Sequence, residues 1–258
     1  GGVRRALNVL GRTELRQGRF DAAERRLERS LSLAEEAGDR GDQLTALINL
    51  GMADWRRGEL ERAGGRFSRA LEMARTLHDH TTQLSCLTNL GALALHQNQL
   101  AEAQSVFEQV LELSRSSGAK DAEMSALSNL GVIAYYRGDH ARAEELWLEI
   151  LEHRKATGDR PKAALILNNL GDLLHDQGRV EEARARWRES LTIRRELEDR
   201  HGQGRVLLNL GIADLEEKHW TEAERRLEEA LALLEGVGNR EVAATAAAKL
   251  GNVAVEQG

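Results

Sequence analysis

Residues able to do chemistry are few in this chain, and their spacing excludes most reactions. Cys86 is the only thiol, so there is no internal disulfide and no Cys pair for a metal. It shares a repeat column with Ala46 and Ala126, which predicts a small, buried, unreactive thiol. His78 and His80 flank Asp79 in one turn, but no His-Glu-x-x-His spacing accompanies them, and no metal is expected. His140, His153 and His175 each stand in a column that is otherwise apolar. They read either as half-buried, hydrogen-bonded imidazoles or as parts of a polar pocket or pH-sensitive joint. The glycines recur at wide, regular intervals and form no phosphate-cradling loop. The expectation is a protein without catalytic residues, metal or cofactor.

The chemistry that does recur is that of the side-chain amide. Asn49, Asn89, Asn129, Asn169 and Asn209 each precede a Leu-Gly pair, forty residues apart. An amide offers a donor and an acceptor, so it can pair with the peptide group of any residue. A row of them suits binding of a polypeptide backbone. The plainer alternative is that each Asn bonds to its own or a neighbouring helix.

The elements that must position these residues follow from the same period. Leu-Gly recurs at 10–11, 50–51, 90–91, 130–131, 170–171, 210–211 and 250–251 with no insertion. Seven residues after each Gly comes a turn residue: Gly18, Gly58, Asn98, Gly138, Gly178, Lys218 and Gly258. Twelve after it comes Ala, as at Ala63 and Ala103, and sixteen after it a large apolar residue, as at Phe67 and Trp187. Each period therefore reads as two helices, A and B. In the second period, A is expected from about Arg40 to Arg57 and B from about Glu61 to His78. Asp21 and Thr221 are expected to cap their B helices. Gly38-Asp39, Gly158-Asp159 and Gly238-Asn239 are expected to end one helix and cap the next, and Pro161 suits a first helical turn. The small columns let A and B approach, and the large column is expected to fill space against the next repeat. One hairpin cannot cover its own apolar face, so the periods must stack. The domain is read as a single solenoid over 1–258, with repeats 1–40, 41–80, 81–120, 121–160, 161–200 and 201–240 and a terminal helix 241–258. Both ends fall inside the pattern, as expected of a segment of a longer protein.

On a helical wheel at about 100° per residue, positions −6, −2, +1 and +5 from the Gly fall together, opposite the apolar face. This stripe reads Arg5, Val9, Arg12, Arg16 in the first repeat and Thr45, Asn49, Met52, Arg56 in the second. Then come Ser85, Asn89, Ala92, His96, and Ser125, Asn129, Val132, Tyr136. The fifth and sixth repeats give Leu165, Asn169, Asp172, Asp176, and Arg205, Asn209, Ile212, Glu216. Besides the amides, the stripe offers an apolar floor and polarised charge. Arg12, Arg16 and Arg56 make one end basic, and Asp172 and Asp176 make the other acidic. A partner with opposite polarity would be steered into register.

These columns resemble the tetratricopeptide repeat, whose pattern is matched at Leu47, Leu50, Gly51, Gly58, Ala63, Phe67 and Ala70. The match covers the whole chain, with two departures: the period is forty rather than thirty-four, and the Pro after helix B is absent. Forty-residue forms are similar to those of kinesin light chains, Pins-type adaptors and the sensor regions of bacterial regulators. The resemblance implies an all-α fold, a right-handed α-solenoid of antiparallel helix pairs with the A helices on its concave side. It implies a partner that is a protein or peptide held in that groove. The alternative is a regulatory or sensor segment of a larger bacterial signalling protein, contacting its own effector domain; self-association is a further variant. A net charge of −6 disfavours nucleic acid and anionic membranes. No apolar run is long enough for a membrane span. A single Cys fits a cytoplasmic setting, and five Lys among 36 basic residues point to the bacterial group.

Overall fold

The computed structural model describes residues 2–257, and every element in it is an α-helix. In chain order these are α1 (Gly2–Arg16), α2 (Phe20–Glu36), α3 (Arg40–Arg57), α4 (Leu60–Thr76), α5 (His80–His96), α6 (Leu100–Ser117) and α7 (Lys120–Tyr136). There follow α8 (His140–Ala156), α9 (Arg160–Asp176), α10 (Val180–Glu196), α11 (Arg200–Glu216), α12 (Trp220–Gly236) and α13 (Arg240–Gln257). Odd-numbered helices are the A helices, even-numbered the B helices. The chain divides into two compact units, Gly1–Ile133 and Ala134–Gly258.

Helix A of the second repeat has its expected ends, but helix B starts a residue early and stops at Thr76. The same early start removes the expected caps. Arg19 and His219 precede α2 and α12 without a side-chain cap bond, and Asp21 and Thr221 lie within the first turns. The preceding backbone fixes this start. Arg19 N–H bonds the Glu14 carbonyl and His219 N–H bonds the Asp214 carbonyl, each one residue after a turn residue with positive φ, Gly18 and Lys218. Asn98 and Lys218 adopt that left-handed conformation just as the turn glycines do; Gly258, expected in the same column, lies outside the described residues. The B-to-A turns are as expected. Asp39, Asp79, Asp159 and Asp199 accept from the N–H three residues on, and Pro161 stands in the first turn of α9.

The large column packs against the next repeat as expected, Leu27 clustering with Leu50 and Ala53 and Phe67 with Leu93. It has a second role that was not expected: at Gly11, Gly51, Gly91, Gly171 and Gly211 it also fills the gap over the Gly of its own repeat. A Cβ on Gly51 would lie 2.6 Å from the Phe67 ring, one on Gly91 2.8 Å from Phe107, and one on Gly211 2.8 Å from Leu227. The Leu-Gly word thus closes the hairpin from within, and the residual apolar faces stack on neighbouring repeats. Leu27, Phe67, Phe107 and Leu227 are fully buried this way.

Buried charge supplies a column of a different kind. Three residues after the Gly stand Glu14, Asp54 and Asp214, all buried, and fifteen after it stand Arg26, Arg66 and Arg226. Arg26 Nε donates to both Glu14 oxygens at 2.9 and 3.0 Å. Arg66 Nε lies 2.6 Å from Asp54, outside hydrogen-bond angles, and Arg226 binds Asp214. Asp214 also accepts from Arg184 at 2.5 Å, and Arg184 reaches Glu217 at 2.7 Å. In the third and fourth repeats these two columns are apolar: Ala94 with Val106 and Ala134 with Leu146.

Candidate functional site: the exposed stripe of the A helices

In each unit the stripe emerges at the surface. Asn49, Asn89 and Asn129 in the first unit, and Asn169 and Asn209 in the second, are all partly exposed. So are Met52, Val132 and Asp172, whereas Arg12, Arg16, Arg56, His96, Tyr136 and Asp176 are exposed. The flanking residues face inward: Leu47, Leu50 and Ala53 beside Asn49 are buried. The 3.6-residue period alone produces this division, because Leu and Gly claim the opposite side of each A helix.

The five amides differ in what they already hold. Asn129 Nδ2 donates to the Ser125 carbonyl of its own helix at 2.9 Å. Asn209 Nδ2 donates to Asp172 Oδ1 at 2.7 Å and to Asn168 Oδ1 at 3.4 Å. Asn49, Asn89 and Asn169 make no hydrogen bond to another side chain or backbone group among the described residues. The first unit adds a cavity beside Asn89, of about 540 Å³. Its walls combine Thr81, Ser85, Thr88 and Ser125 with Leu84 and Ala122, and Lys120 and Asp121 stand at its margin.

The charged ends of the stripe are also unequal. In the second unit, Asp172 accepts from Trp187 Nε1 at 2.9 Å, Asn209 at 2.7 Å and Asn168 Nδ2 at 3.0 Å. All three donors are neutral. Burial pushes the Asp172 carboxyl up to about 6, against the pull of the Trp187 hydrogen bond and of the Arg205 charge. Asp176 accepts from the Tyr135 hydroxyl, whose own pKa rises through burial and that bond. His175 Nε2 lies 2.8 Å from Glu216 and its ring 5.5 Å from Trp187. His140 stacks on Tyr135 at 5.8 Å, which also contacts Tyr136 at 5.5 Å and Trp147 at 6.1 Å. His140 and His175 therefore join one aromatic and acidic neighbourhood, while His153, half-buried near the end of α8, is not part of it. Asn168 is a participant the stripe pattern misses. It lies one residue off the stripe and is buried, in a column that holds Asn8, Thr88 and Ser128 as well as Ile48 and Leu208, so nothing in the sequence singles it out.

In the first unit, Arg5, Arg12 and Arg16 have no ion-pair partner among the described residues, and Arg56 donates to the Leu15 carbonyl at 3.0 Å. Arg4, one residue off the stripe, is instead bound to Asp39 and to Asp42 at 2.8 Å. Trp55 and His96 meet edge-on at 6.3 Å. Asp79 is taken up in capping α5, with Thr82 N–H at 3.0 Å, and no metal-holding group of three or more His, Cys, Asp or Glu occurs among the described residues.

A family model described as tetratricopeptide repeat matches residues 2–76, 42–116, 122–196 and 162–236. The chain belongs to that family. No curated protein matches it. Among solved structures, the tetratricopeptide fold here is similar to that of BtubC (BKLC) from P. vanneervenii, at 21% identity and TM-score 0.71, covering 84% of this chain and 92% of that one. It is similar to a signal transduction ATPase with a tetratricopeptide repeat sensor from Pyrococcus horikoshii, at 16% identity and TM-score 0.75, covering 99% of this chain and 39% of that one. A Rap conjugation gene regulator solved with the Phr* peptide gives 16% identity and TM-score 0.69, covering 94% and 72%. At these identities the likeness concerns the fold. Among the described residues no helix is long and apolar enough to cross a membrane.

Proposed function

We propose that this tetratricopeptide protein is a non-catalytic, cytoplasmic binding module whose A-helix stripe holds a peptide segment of a protein partner. The observation that carries the proposal is the partly exposed amides, Asn49 and Asn89 in the first unit and, separately, Asn169 in the second, which have no hydrogen-bond partner among the described residues. Each adjoins an inward-facing Leu-Gly pair, buried at Leu50-Gly51 and Leu170-Gly171 and half-buried at Leu90, so its donor and acceptor are presented at little entropic cost. The cavity beside Asn89 adds hydroxyls for a backbone and an apolar floor for a small side chain. The peptide in the Rap complex supports the reading, and the sensor named in the ATPase structure supports a regulatory variant of it, in which the peptide belongs to a neighbouring domain.

Selection of binders from a random peptide library against the whole chain tests this. The double substitution Asn49→Ala and Asn89→Ala removes two bonds worth about 1 kcal/mol each and should weaken the selected peptides roughly tenfold or more. Melting should be unchanged, since neither amide bonds to the fold. Binders indifferent to the double substitution, or a library yielding none, would refute the proposal.

A further inference from the structure

The two charged ends of the stripe lead to different conclusions. The second unit's carboxylates are engaged: Asp172 takes three neutral donors, Asp176 binds Tyr135 and Glu216 meets His175. Arg205 stands on the same stripe and opposes them. The first unit's arginines have no such partners. Arg5, Arg12 and Arg16 are exposed and unpaired among the described residues, and no acidic residue stands on the stripe of α1 or α3. The nearby acids are committed elsewhere: Glu14 to Arg26, Asp42 to Arg4, and Asp54 to Arg66.

Geometry makes these arginines one surface. Positions 5, 12 and 16 fall within about 40° on the helical wheel and span about 16 Å of axis. Arg56 Nη1, 3.0 Å from the Leu15 carbonyl, holds the fourth guanidinium over the end of α1, next to Arg16. Val9, 53% exposed, lies between Arg5 and Arg12 and gives the patch an aliphatic centre. Four like charges without counter-ions repel one another, and apart from the Arg56 bond to the Leu15 carbonyl the fold gains no ion pair or hydrogen bond from this placement.

We infer that this face of the first unit docks an acidic peptide segment, with carboxylates on Arg5, Arg12, Arg16 and Arg56 and an aliphatic residue on Val9. An extended chain advances about 3.3 Å per residue, so three carboxylates within five or six residues match the 16 Å span. Guanidinium and carboxylate pair through two parallel hydrogen bonds, which suits Arg rather than Lys here. A nucleic acid fits the patch less well. The protein is acidic overall and no aromatic residue stands on the stripe of α1 or α3 for bases to stack on.

This inference rests on the peptide-binding reading, and the test separates the two. Peptides selected from a random library on the whole chain are sequenced and their affinity measured between 50 and about 500 mM NaCl, where ion pairing becomes strongly screened. A labelled twenty-nucleotide oligo-dT is measured in parallel. The inference expects binders rich in Asp and Glu, weakened at least tenfold by salt and by the double substitution Arg12→Gln and Arg16→Gln, with melting unchanged or raised. Binders without acidic enrichment would overturn the inference and leave the peptide-binding reading standing. A library without binders would overturn both. Oligo-dT bound through Arg12 and Arg16 in preference to any acidic peptide would overturn the choice of partner. A variant melting well below wild type would show a structural role for the arginines and overturn it too.

Discussion

Replacing Asp172 by Asn should stabilise the protein at neutral pH. The carboxyl lies where other repeats place Met52, Ala92, Val132 or Ile212, and burial raises it from 3.8 to about 6. A carboxylate whose pKa is higher folded than unfolded binds its proton more tightly in the fold. Its proton-linked stability is complete below the unfolded value and is lost as pH rises through about 6. A shift of about two units corresponds to about 3 kcal/mol lost at pH 7.5. At pH 4.5 the loss falls to about 1 kcal/mol. Asn keeps an oxygen for Trp187 and Asn209, and its NH2 faces an Asn168 amide that turns over to accept, giving up only its long 3.4 Å bond from Asn209. Urea denaturation of wild type and Asp172→Asn at both pH values reads the difference directly. The variant's advantage should shrink by about 2 kcal/mol on acidification. A variant no more stable than wild type at pH 7.5, or an advantage equal at both pH values, would refute the electrostatic account of this site.

The fold was legible because its instruction is local and repeated. Leu-Gly every forty residues, with turn residues at fixed offsets, specifies hairpins of one size, and tertiary context has little to override. The errors arose where a neighbour decides. The starts of α2 and α12 are set by backbone bonds from the preceding turn, so Asp21 and Thr221, expected as caps, fall inside the first turn, past the cap position. The large column was expected to fill space against the next repeat, and Phe67 does meet Leu93 there, but Phe67 and Trp187 also fold back over Gly51 and Gly171 of their own hairpins. The acid–Arg column escapes helical periodicity because its two members stand on different helices, Glu14 on α1 and Arg26 on α2. It occurs in the first, second and sixth repeats, and in sequence its members look like ordinary solvent-facing charges. Only the spacing from Glu14 to Arg26, repeated at Asp54 to Arg66 and Asp214 to Arg226, could have revealed it.

The candidate site was legible in position and not in state. Helical periodicity puts Asn49, Asn89, Asn129, Asn169 and Asn209 on one face, and their partial exposure agrees. Whether an amide is free depends on what adjoins it. A Ser125 carbonyl one turn back occupies Asn129, and the exchange of an apolar residue for Asp172 draws in Asn209. The same exchange gives meaning to the doubled Asn of "LNNLG", where buried Asn168 serves Asp172 and Asn169 remains open.

Two further perturbations probe the interior. The thiol of Cys86 is fully buried and its pKa is pushed up to about 11 by desolvation, so thiolate is scarce at pH 8. Iodoacetamide should leave the native protein unmodified by mass spectrometry and label it fully in urea; native labelling at the unfolded rate would refute the burial. Arg66→Ala strips Asp54 of its nearest cation while leaving the carboxylate fully buried, its pKa already raised by desolvation. Arg62, 3.6 Å away, offers only partial replacement. Removing one partner of a buried pair costs about 3–5 kcal/mol, whereas replacing both by apolar residues can be nearly neutral. The third repeat already carries such a replacement in Ala94 and Val106. Asp54→Ala with Arg66→Val should therefore recover most of the loss in urea denaturation. A double variant as unstable as Arg66→Ala alone would mean that the pair holds the hairpin through packing of the Arg66 stem rather than by balancing the Asp54 charge.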